Sequence, residues 1–303
     1  MSEAATKATP DLQAPFPWFG GKRRVARLVW ERFGNVANFV EPFAGSLAVL
    51  FGRPHAPKVE TVNDKDGYLA NFWRAVKAEP EAVAAVADWP VNEIDLAARR
   101  DYIFARKDEL NAMMWRDPTY YDVEIAGLWV WGVCSTIGNA WQPKSTHLGD
   151  AGMGVHRPRT HLGAGRGVQL AEYFTAIAAR LERVRVMCGD WTRVTSPTVT
   201  EHHGVTGVFL DPPYTSDCAQ DVYQDDTPVA DAVREWAIGR GESAKMRIAL
   251  CGYEGEHDMP DSWDCIPWKA SGGYGSQGVG RGRDNAHRER IWFSPHCIQT
   301  ELF

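Results

Sequence analysis

Short apolar runs recur along the chain, and most are followed by small or acidic residues and then by a helical pattern. The clearest runs, each predicted as a β-strand, are residues 38–41, 59–62, 184–188, 205–210 and 246–251. Residues 263–268 and 290–293 are predicted as a sixth strand and the last strand. Strands that alternate with helices form an open, mostly parallel sheet covered by helices. Ligands of such folds bind in a crevice at the carboxyl ends of the strands. The pattern therefore predicts an α/β protein with its site at those strand ends.

The alternation breaks in one long segment, residues 79–167, where the apolar spacing predicts helices instead. The predicted helices of this segment are residues 81–87, 94–114 and 125–135. With 303 residues and 44% hydrophobic residues, the chain is long enough for a large domain that carries an insertion. We therefore expect a disordered tail at residues 1–14, a Rossmann-like catalytic domain at residues 15–78 and 168–303, and an inserted region at residues 79–167.

Composition narrows the class of protein. The six cysteines form no CxxC pair, which favours reduced, buried side chains in a cytoplasmic protein. No apolar stretch is long enough to cross a bilayer, so we expect no membrane contact. The histidines have neither the spacing nor the partners of a metal site, and we expect none. The net charge of −6 excludes a protein coated in basic residues, but a local basic surface is compatible with it.

The most distinctive strand end is the sequence Asp211-Pro212-Pro213-Tyr214, which follows the apolar run ending at Leu210. Asp211 supplies a carboxylate that only accepts hydrogen bonds. The prolines stiffen the turn and remove two N–H donors, which leaves carbonyl acceptors unpaired. Tyr214 offers a flat ring. An acceptor pair beside a ring suits the exocyclic amine of a planar base; the alternative is a plain Pro-Pro turn.

Other strand ends, and one turn near the start, carry residues suited to a nucleoside. Those candidates are Glu41, Pro42, Phe43 and Gly45 after the first strand, Asn63 and Asp64 after the second, Asp190 and Trp191 after the third, and Trp18, Gly20, Gly21 and Lys22 before the first helix. A small-residue turn can hold a ligand at a helix N-terminus, and an acid after the second strand is placed to bind ribose hydroxyls. Asp66 can instead cap the following helix.

A basic loop lies inside the inserted region. Its candidate phosphate-binding residues are Lys144, Arg157, Arg159 and Arg166. A basic loop on an acidic protein can contact the nucleic-acid backbone, although a solvated surface loop would have the same composition.

Together the strand ends could hold a nucleoside cofactor and a second planar base. No His/Ser/Asp or Cys/His pairing near these strand ends suggests a covalent nucleophile. This favours a reaction in which a group passes directly between two bound molecules that the protein positions. A nicotinamide oxidoreductase is disfavoured, because the turn after the first strand lacks GxGxxG.

These stretches, in this order, resemble the Dam-like, D12-class DNA adenine N6-methyltransferases of phages and bacteria. The matching stretches are residues 15–22, 39–48, 62–64, 128–138, 189–191 and 210–214. The resemblance implies S-adenosylmethionine as cofactor, double-stranded DNA as partner, a reversed last strand and a target-recognition insert. It implies that Trp18 and Lys22 lie beside the cofactor and that Phe43 and Gly45 form the turn that holds it. It also implies that Asp64 binds the ribose and that Asp190 binds the adenine of the cofactor.

The expected reaction is methyl transfer to N6 of a flipped-out adenine, with Asp211, Pro212, Pro213 and Tyr214 as the catalytic residues. One departure is Leu47, where related turns often have a second glycine. Open alternatives are a DNA cytosine N4-methyltransferase, an amino-methyltransferase for RNA or protein, and a DNA-binding protein without catalysis. A role in restriction-modification and a monomeric state are compatible with the sequence.

Overall fold

A seven-stranded sheet organises the protein, with helices packed around it. The computed structural model describes residues 12–16, 18, 22–117, 119–136, 168–214, 227–268 and 287–299. The strands are β1 (Asn38–Glu41), β2 (Val59–Asp64), β3 (Val184–Cys188), β4 (Thr206–Leu210), β5 (Met246–Tyr253), β6 (Asp264–Pro267) and β7 (Glu289–Phe293). The helices are α1 (Arg23–Phe33), α2 (Ala48–Phe51), α3 (Gly67–Ala78), α4 (Pro80–Ala87), α5 (Glu93–Phe104), α6 (Lys107–Arg116), α7 (Val123–Ser135), α8 (Val168–Leu181), α9 (Pro197–Thr200) and α10 (Thr227–Gly241), with a 3-10 helix at Trp191–Arg193.

The strand order is β3-β2-β1-β4-β5-β7-β6. Strands β1 to β5 are parallel, whereas β7 runs antiparallel to both of its neighbours. The order reverses direction between β1 and β4, which is the switch point where α/β sheets open a crevice. The predicted Rossmann-like α/β class with a reversed last strand is therefore confirmed.

Side-chain caps explain where several helices begin. The Asp66 carboxylate accepts the Tyr68 N–H at the start of α3, and Asp122 accepts the Ile125 N–H at the start of α7. Such caps satisfy backbone donors that the first helical turn leaves unpaired, and each stabilises a helix by about 1 kcal/mol. Asp66 thus has the capping role that the sequence offered to it.

The helices of the predicted insert pack onto α3 and α8 and share one hydrophobic core with them. Helix α7 lies against α3, α4 and α5, and α4 also contacts α8. The Asn71 side chain fixes this contact, because it donates to the Asp122 carbonyl at 2.9 Å and accepts the Asp122 N–H at 2.7 Å.

The single helix predicted for residues 94–114 is wrong, since α5 ends at Phe104 and α6 begins at Lys107. The break has a local cause. The Arg106 guanidinium lies over the Tyr102 ring and donates to the Tyr102 carbonyl at 3.0 Å, which satisfies a group at the end of α5. None of the helices among the described residues is long and apolar enough to span a membrane.

A buried ion cluster joins β2 to the helical layer. Both oxygens of Glu60 are paired, with Arg53 at 2.9 Å and Arg180 at 2.6 Å. The three side chains are almost fully buried, so each charge depends on the others for compensation.

Two expectations about solvent exposure need correction. Leu12, assigned from sequence to the disordered tail, is buried in the core. The five cysteines in the described part of the chain are free thiols, but Cys265 on the edge strand β6 is exposed rather than buried.

Candidate active site

The catalytic candidates meet at the carboxyl end of β4. Every residue of β4 is buried, so the chain leaves the core only at Asp211. The Tyr214 hydroxyl donates toward Oδ1 of Asp211 at 3.1 Å and toward Oε2 of Glu289 at 3.0 Å. The edge of the Tyr253 ring contacts the Tyr214 ring, with centroids 4.6 Å apart. The structure therefore brings the predicted carboxylate and ring together, and it adds a second carboxylate.

Lys22 supplies the cation of this cluster. Its ammonium donates to the Tyr214 hydroxyl at 2.6 Å and lies 2.9 Å from Oδ1 of Asp211. It also sits over the Trp268 ring, 4.9 Å from the centroid. Burial lowers the pKa of Lys22, but the charges of Asp211 and Glu289 outweigh burial, and the net pKa is raised. Lys22 is therefore charged at neutral pH.

Glu289 is the site residue that sequence reasoning missed. That reasoning began the last strand at Arg290, whereas β7 begins at Glu289. Because β7 is antiparallel, its first residue pairs with Tyr253 at the carboxyl end of β5, on the edge of the sheet that carries the site. A reversed last strand preceded by an acid is the sequence signal that could have located it.

Burial dominates the electrostatics of the acidic groups. It raises the pKa of Glu289, and the nearby Asp211 adds to this, while Lys22 and the Tyr214 hydrogen bond oppose it. Burial, together with the charges of Asp211 and Glu289, also raises the pKa of Tyr214 well above its usual value, so its hydroxyl keeps its proton.

The turn after β1 forms a second half of the crevice. The Gly45 N–H donates to Oδ2 of Asp64 at 2.9 Å, and Oδ1 of the same carboxylate accepts the Asp66 N–H at 2.9 Å. Burial raises the pKa of Asp64 to about 6, although these backbone hydrogen bonds lower it. Each carboxylate oxygen has two lone pairs, so Asp64 can still accept a hydroxyl.

Gly45 has φ of 45°, and a Cβ there would lie 2.4 Å from the Trp18 indole. A side chain at this position would therefore meet Trp18, which packs beside the turn. Leu47 also adopts a left-handed conformation, with φ of 58°. Although the sequence lacks the second glycine at this position, the backbone takes the conformation that glycine favours, and the fully buried Leu47 side chain compensates for the strain.

Two buried oxygens in this half of the crevice have no hydrogen-bond partner among the residues that the structure describes. They are Oε2 of Glu41 and Oδ1 of Asn63. Burial raises the pKa of Glu41 well above its usual value, against a backbone hydrogen bond from Leu50. The Asn63 amide donates to the carbonyls of Pro42 and Gly189, both at 3.0 Å, and so ties the turns after β1 and β3 together.

Aromatic rings line the far side of the crevice. The Phe43 and Trp191 rings lie 6.3 Å apart at 29°, while Asp190 caps the 3-10 helix by accepting the Thr192 N–H at 3.0 Å. The insert reaches this edge through the exposed Trp115 of α6, which the Arg193 guanidinium covers at 4.7 Å. Sequence reasoning did not identify Trp115, because its neighbour Arg193 is remote in the chain.

Several predicted site residues lie outside the described residues. They are Gly20, Gly21, Lys144, Arg157, Arg159 and Arg166. Among the described candidates, those from the turns after β1, β2, β3 and β4 are at neighbouring strand ends. The structure places Lys22 against Asp211 and Tyr214, and its predicted position beside the cofactor stays a prediction.

Comparison with known proteins finds one family model that matches part of the chain. Residues 18–124 match the family model of the D12 class N6 adenine-specific DNA methyltransferases. This segment includes Trp18, Lys22, the turn after β1, Asp64 and helices α3 to α6, while the Asp211 turn and Glu289 lie beyond it. No curated protein matches the chain. Residues 18–124 are therefore similar to a D12 class N6 adenine-specific DNA methyltransferase domain, and this similarity indicates an adenine-specific DNA methyltransferase.

Proposed function

We propose that this protein transfers a methyl group from S-adenosylmethionine to N6 of an adenine that has been flipped out of duplex DNA. The observation that carries the proposal is the arrangement at the end of β4, where the Asp211 carboxylate and the Tyr214 ring meet beside the buried Lys22 ammonium. A carboxylate next to a ring is the recognition that an exocyclic amine on a planar base requires.

The residues at the ends of β1 and β2 fit the cofactor. S-adenosylmethionine carries a sulfonium, an ammonium and ribose hydroxyls, all of which favour acceptor oxygens. The crevice offers such acceptors, because Glu41 and Asn63 each have a buried oxygen with no partner in the described part of the chain, and Asp64 has spare lone pairs. Trp18, Phe43 and Trp191 supply rings for its apolar surfaces. When bound, the cofactor supplies an electrophilic methyl group.

The protein's own groups orient the amine. We expect Asp211 and the Pro212 carbonyl each to accept one hydrogen of the amine, which directs the nitrogen lone pair away from both. Hydrogen bonds to a charged acceptor are roughly twice as strong as neutral ones, so Asp211 should contribute more than Pro212. Pro213 fixes the turn, and Tyr214 stacks on the base, which stabilises it by about 1–3 kcal/mol.

We infer duplex DNA as the partner from the family match over residues 18–124. An adenine inside a duplex must be flipped out before its N6 can react, and flipping costs a few kcal/mol. The basic loop residues Lys144, Arg157, Arg159 and Arg166 stay predicted phosphate contacts. The exposed Trp115 belongs to α6, a helix of the predicted insert, and its ring lies under Arg193 close to Asp190 and Trp191. We therefore expect the insert to adjoin the proposed cofactor site.

The test is nucleoside mass spectrometry of duplex DNA incubated with the protein and S-adenosylmethionine. We expect N6-methyladenine from the wild type and none from Asp211→Ala, with cofactor binding retained by that variant. The matched control is Asp231→Ala, which removes an exposed acid paired with Arg234 on α10 and should leave activity unchanged. N4-methylcytosine as the product, or normal turnover by Asp211→Ala, would contradict the proposal.

A further inference from the structure

The Tyr214 hydroxyl has three polar neighbours within the described ranges but a single hydrogen. Lys22 donates to it at 2.6 Å, so its own hydrogen must point toward a carboxylate. Two carboxylate oxygens lie at nearly equal distances from it, Asp211 Oδ1 at 3.1 Å and Glu289 Oε2 at 3.0 Å. One hydrogen cannot serve both acceptors at once. The hydroxyl therefore connects the two carboxylates as a switchable bridge.

Methylation of an exocyclic amine releases a proton that this cluster must accommodate. The amine lone pair forms the new N–C bond while the C–S bond breaks and its electron pair stays on sulfur. The amine then carries a positive charge and must lose one N–H proton. Lys22 cannot accept that proton, because it already holds its full complement beside two carboxylates.

We propose that Glu289 is the residue that takes up this proton, through Tyr214. The amine passes one proton to Asp211, Asp211 passes one to the Tyr214 oxygen, and the Tyr214 hydroxyl gives its own hydrogen to Glu289. One proton thus moves from the amine to Glu289, and Asp211 and Tyr214 end as they began. The proton leaves for water when the product departs.

Geometry explains why the proton ends on Glu289 and not on Asp211. The Lys22 ammonium is 2.9 Å from Asp211 but 3.7 Å from Glu289, so it stabilises the charge of Asp211 more strongly. The Glu289 side chain is also more buried, at 5% exposure against 19% for Asp211. Burial favours the neutral form of a carboxylate. Its raised pKa agrees with this assignment.

The charged and titratable groups that act on Glu289, among the described residues, come from several elements. They are Lys22 before α1, Asp211 and Tyr214 after β4, and Cys251 on β5. Burial raises the pKa of Cys251 well above its usual value, so this thiol stays neutral and does not compete for the role. Glu289 acts on the substrate only through Tyr214, and is therefore a positioning residue for the proton rather than a group that touches the base.

This inference rests on the proposed methyl transfer, and its main test is single-turnover methylation of duplex DNA across pH. Glu289 must be ionised to accept a proton, so the wild-type rate should fall as pH drops through a midpoint above the ordinary glutamate range. Glu289→Gln should slow the step by about 10²-fold at neutral pH, the lower end for a proton-transfer group, and should abolish that acid limb. Binding of DNA and cofactor should be unchanged.

Tyr214→Phe keeps the ring but breaks the bridge, and the variant that combines it with Glu289→Gln should be no slower than the slower single variant. Glu254→Gln is the matched control, since it removes an exposed carboxylate paired with Arg290 on the neighbouring strand and should leave rate and pH profile unchanged. A wild-type rate and acid limb in Glu289→Gln, or multiplicative losses in the double variant, would overturn the relay.

A readout without turnover separates this inference from the proposed function. Infrared titration of the ligand-free protein should show a protonated carboxyl band that titrates above the ordinary glutamate range and disappears in Glu289→Gln. If the wild type forms no N6-methyladenine, the proposed function fails while this titration still judges Glu289. If the wild type methylates DNA and the band is missing, the relay alone is refuted.

Discussion

Gly45→Ala tests the cofactor half of the crevice most directly. At φ of 45° an alanine is strained, which costs about 1 kcal/mol or more. The new Cβ would also lie 2.4 Å from two atoms of the Trp18 ring, so that ring must move. Overpacking of this kind costs about 1–3 kcal/mol. The sum predicts a loss of about 2–4 kcal/mol in the free energy of unfolding.

The matched control is Gly239→Ala on α10, where a Cβ would meet no atom within 4 Å. Alanine inside a helix should stabilise the protein by about 0.5–1 kcal/mol. For 303 residues, an unfolding entropy of about 2.1 cal/mol/K per residue converts 1 kcal/mol into a shift of about 1.6 °C in Tm. Gly45→Ala should thus lower Tm by about 3–6 °C, and Gly239→Ala should raise it by about 1 °C.

Calorimetry measures both consequences of the change at Gly45. Scanning calorimetry gives Tm, and titration with S-adenosylmethionine gives the dissociation constant, which should rise in Gly45→Ala because the displaced Trp18 lies beside the cofactor turn. Equal Tm values for the two alanine variants, or unchanged cofactor affinity in Gly45→Ala, would refute the reasoning that joins Gly45, Trp18 and the cofactor.

Three further predictions concern charge. Glu60→Gln should lower the free energy of unfolding, measured in urea, by about 3 kcal/mol because two buried arginines lose their partner. The control Glu31→Gln breaks an exposed pair and should change the free energy of unfolding by less than about 0.5 kcal/mol. Similar losses in the two variants would argue against the buried cluster. Asp64 has a folded pKa of about 6, above its unfolded value, so its contribution to stability is present at low pH and is lost as pH rises from about 4 through 6. Subtracting the pH profile of Asp64→Asn should reveal this loss, at most about 2 kcal/mol for a partly exposed group, and a difference that grows with pH instead would show the sign to be wrong. Changing Arg157 and Arg159 together to alanine should reduce the salt dependence of DNA binding by about two units of slope, and an unchanged slope would make the loop an ordinary solvated surface.

Local patterns were sufficient to predict the sheet and its strand ends. Apolar runs of four to eight residues bounded by small or acidic residues favour buried β-strands over helices. The carboxyl ends of parallel strands lie at the same edge of the sheet. For this reason Glu41, Asp64 and Asp211 could be placed at the crevice from the sequence, and Asp66 could be offered as a cap. The bounds of β4 and α7 followed from the same patterns to within two residues.

Long-range partners could not be predicted in this way. Lys22 was assigned to the cofactor, but its ammonium pairs with Asp211, a contact that only the packing of α1 against the sheet decides. Glu289 escaped notice because an acid before an apolar run is ordinary, and its role depends on the reversal of β7. The end of α5 was not predicted because no Gly or Pro lies beside it. Instead, the Arg106 side chain donates to the Tyr102 carbonyl there.

The cluster at the end of β4 also has a consequence for how the chain is made. Its hydrogen bonds join residues 192 and 75 positions apart, so Lys22 is synthesised early and Glu289 last. During synthesis on the ribosome, an emerging chain that already contains β1 to β5 still lacks the carboxylate from β7. We expect such a chain to leave Lys22 and Tyr214 without their second acidic partner, so methylation competence should appear only after β7 has joined the sheet.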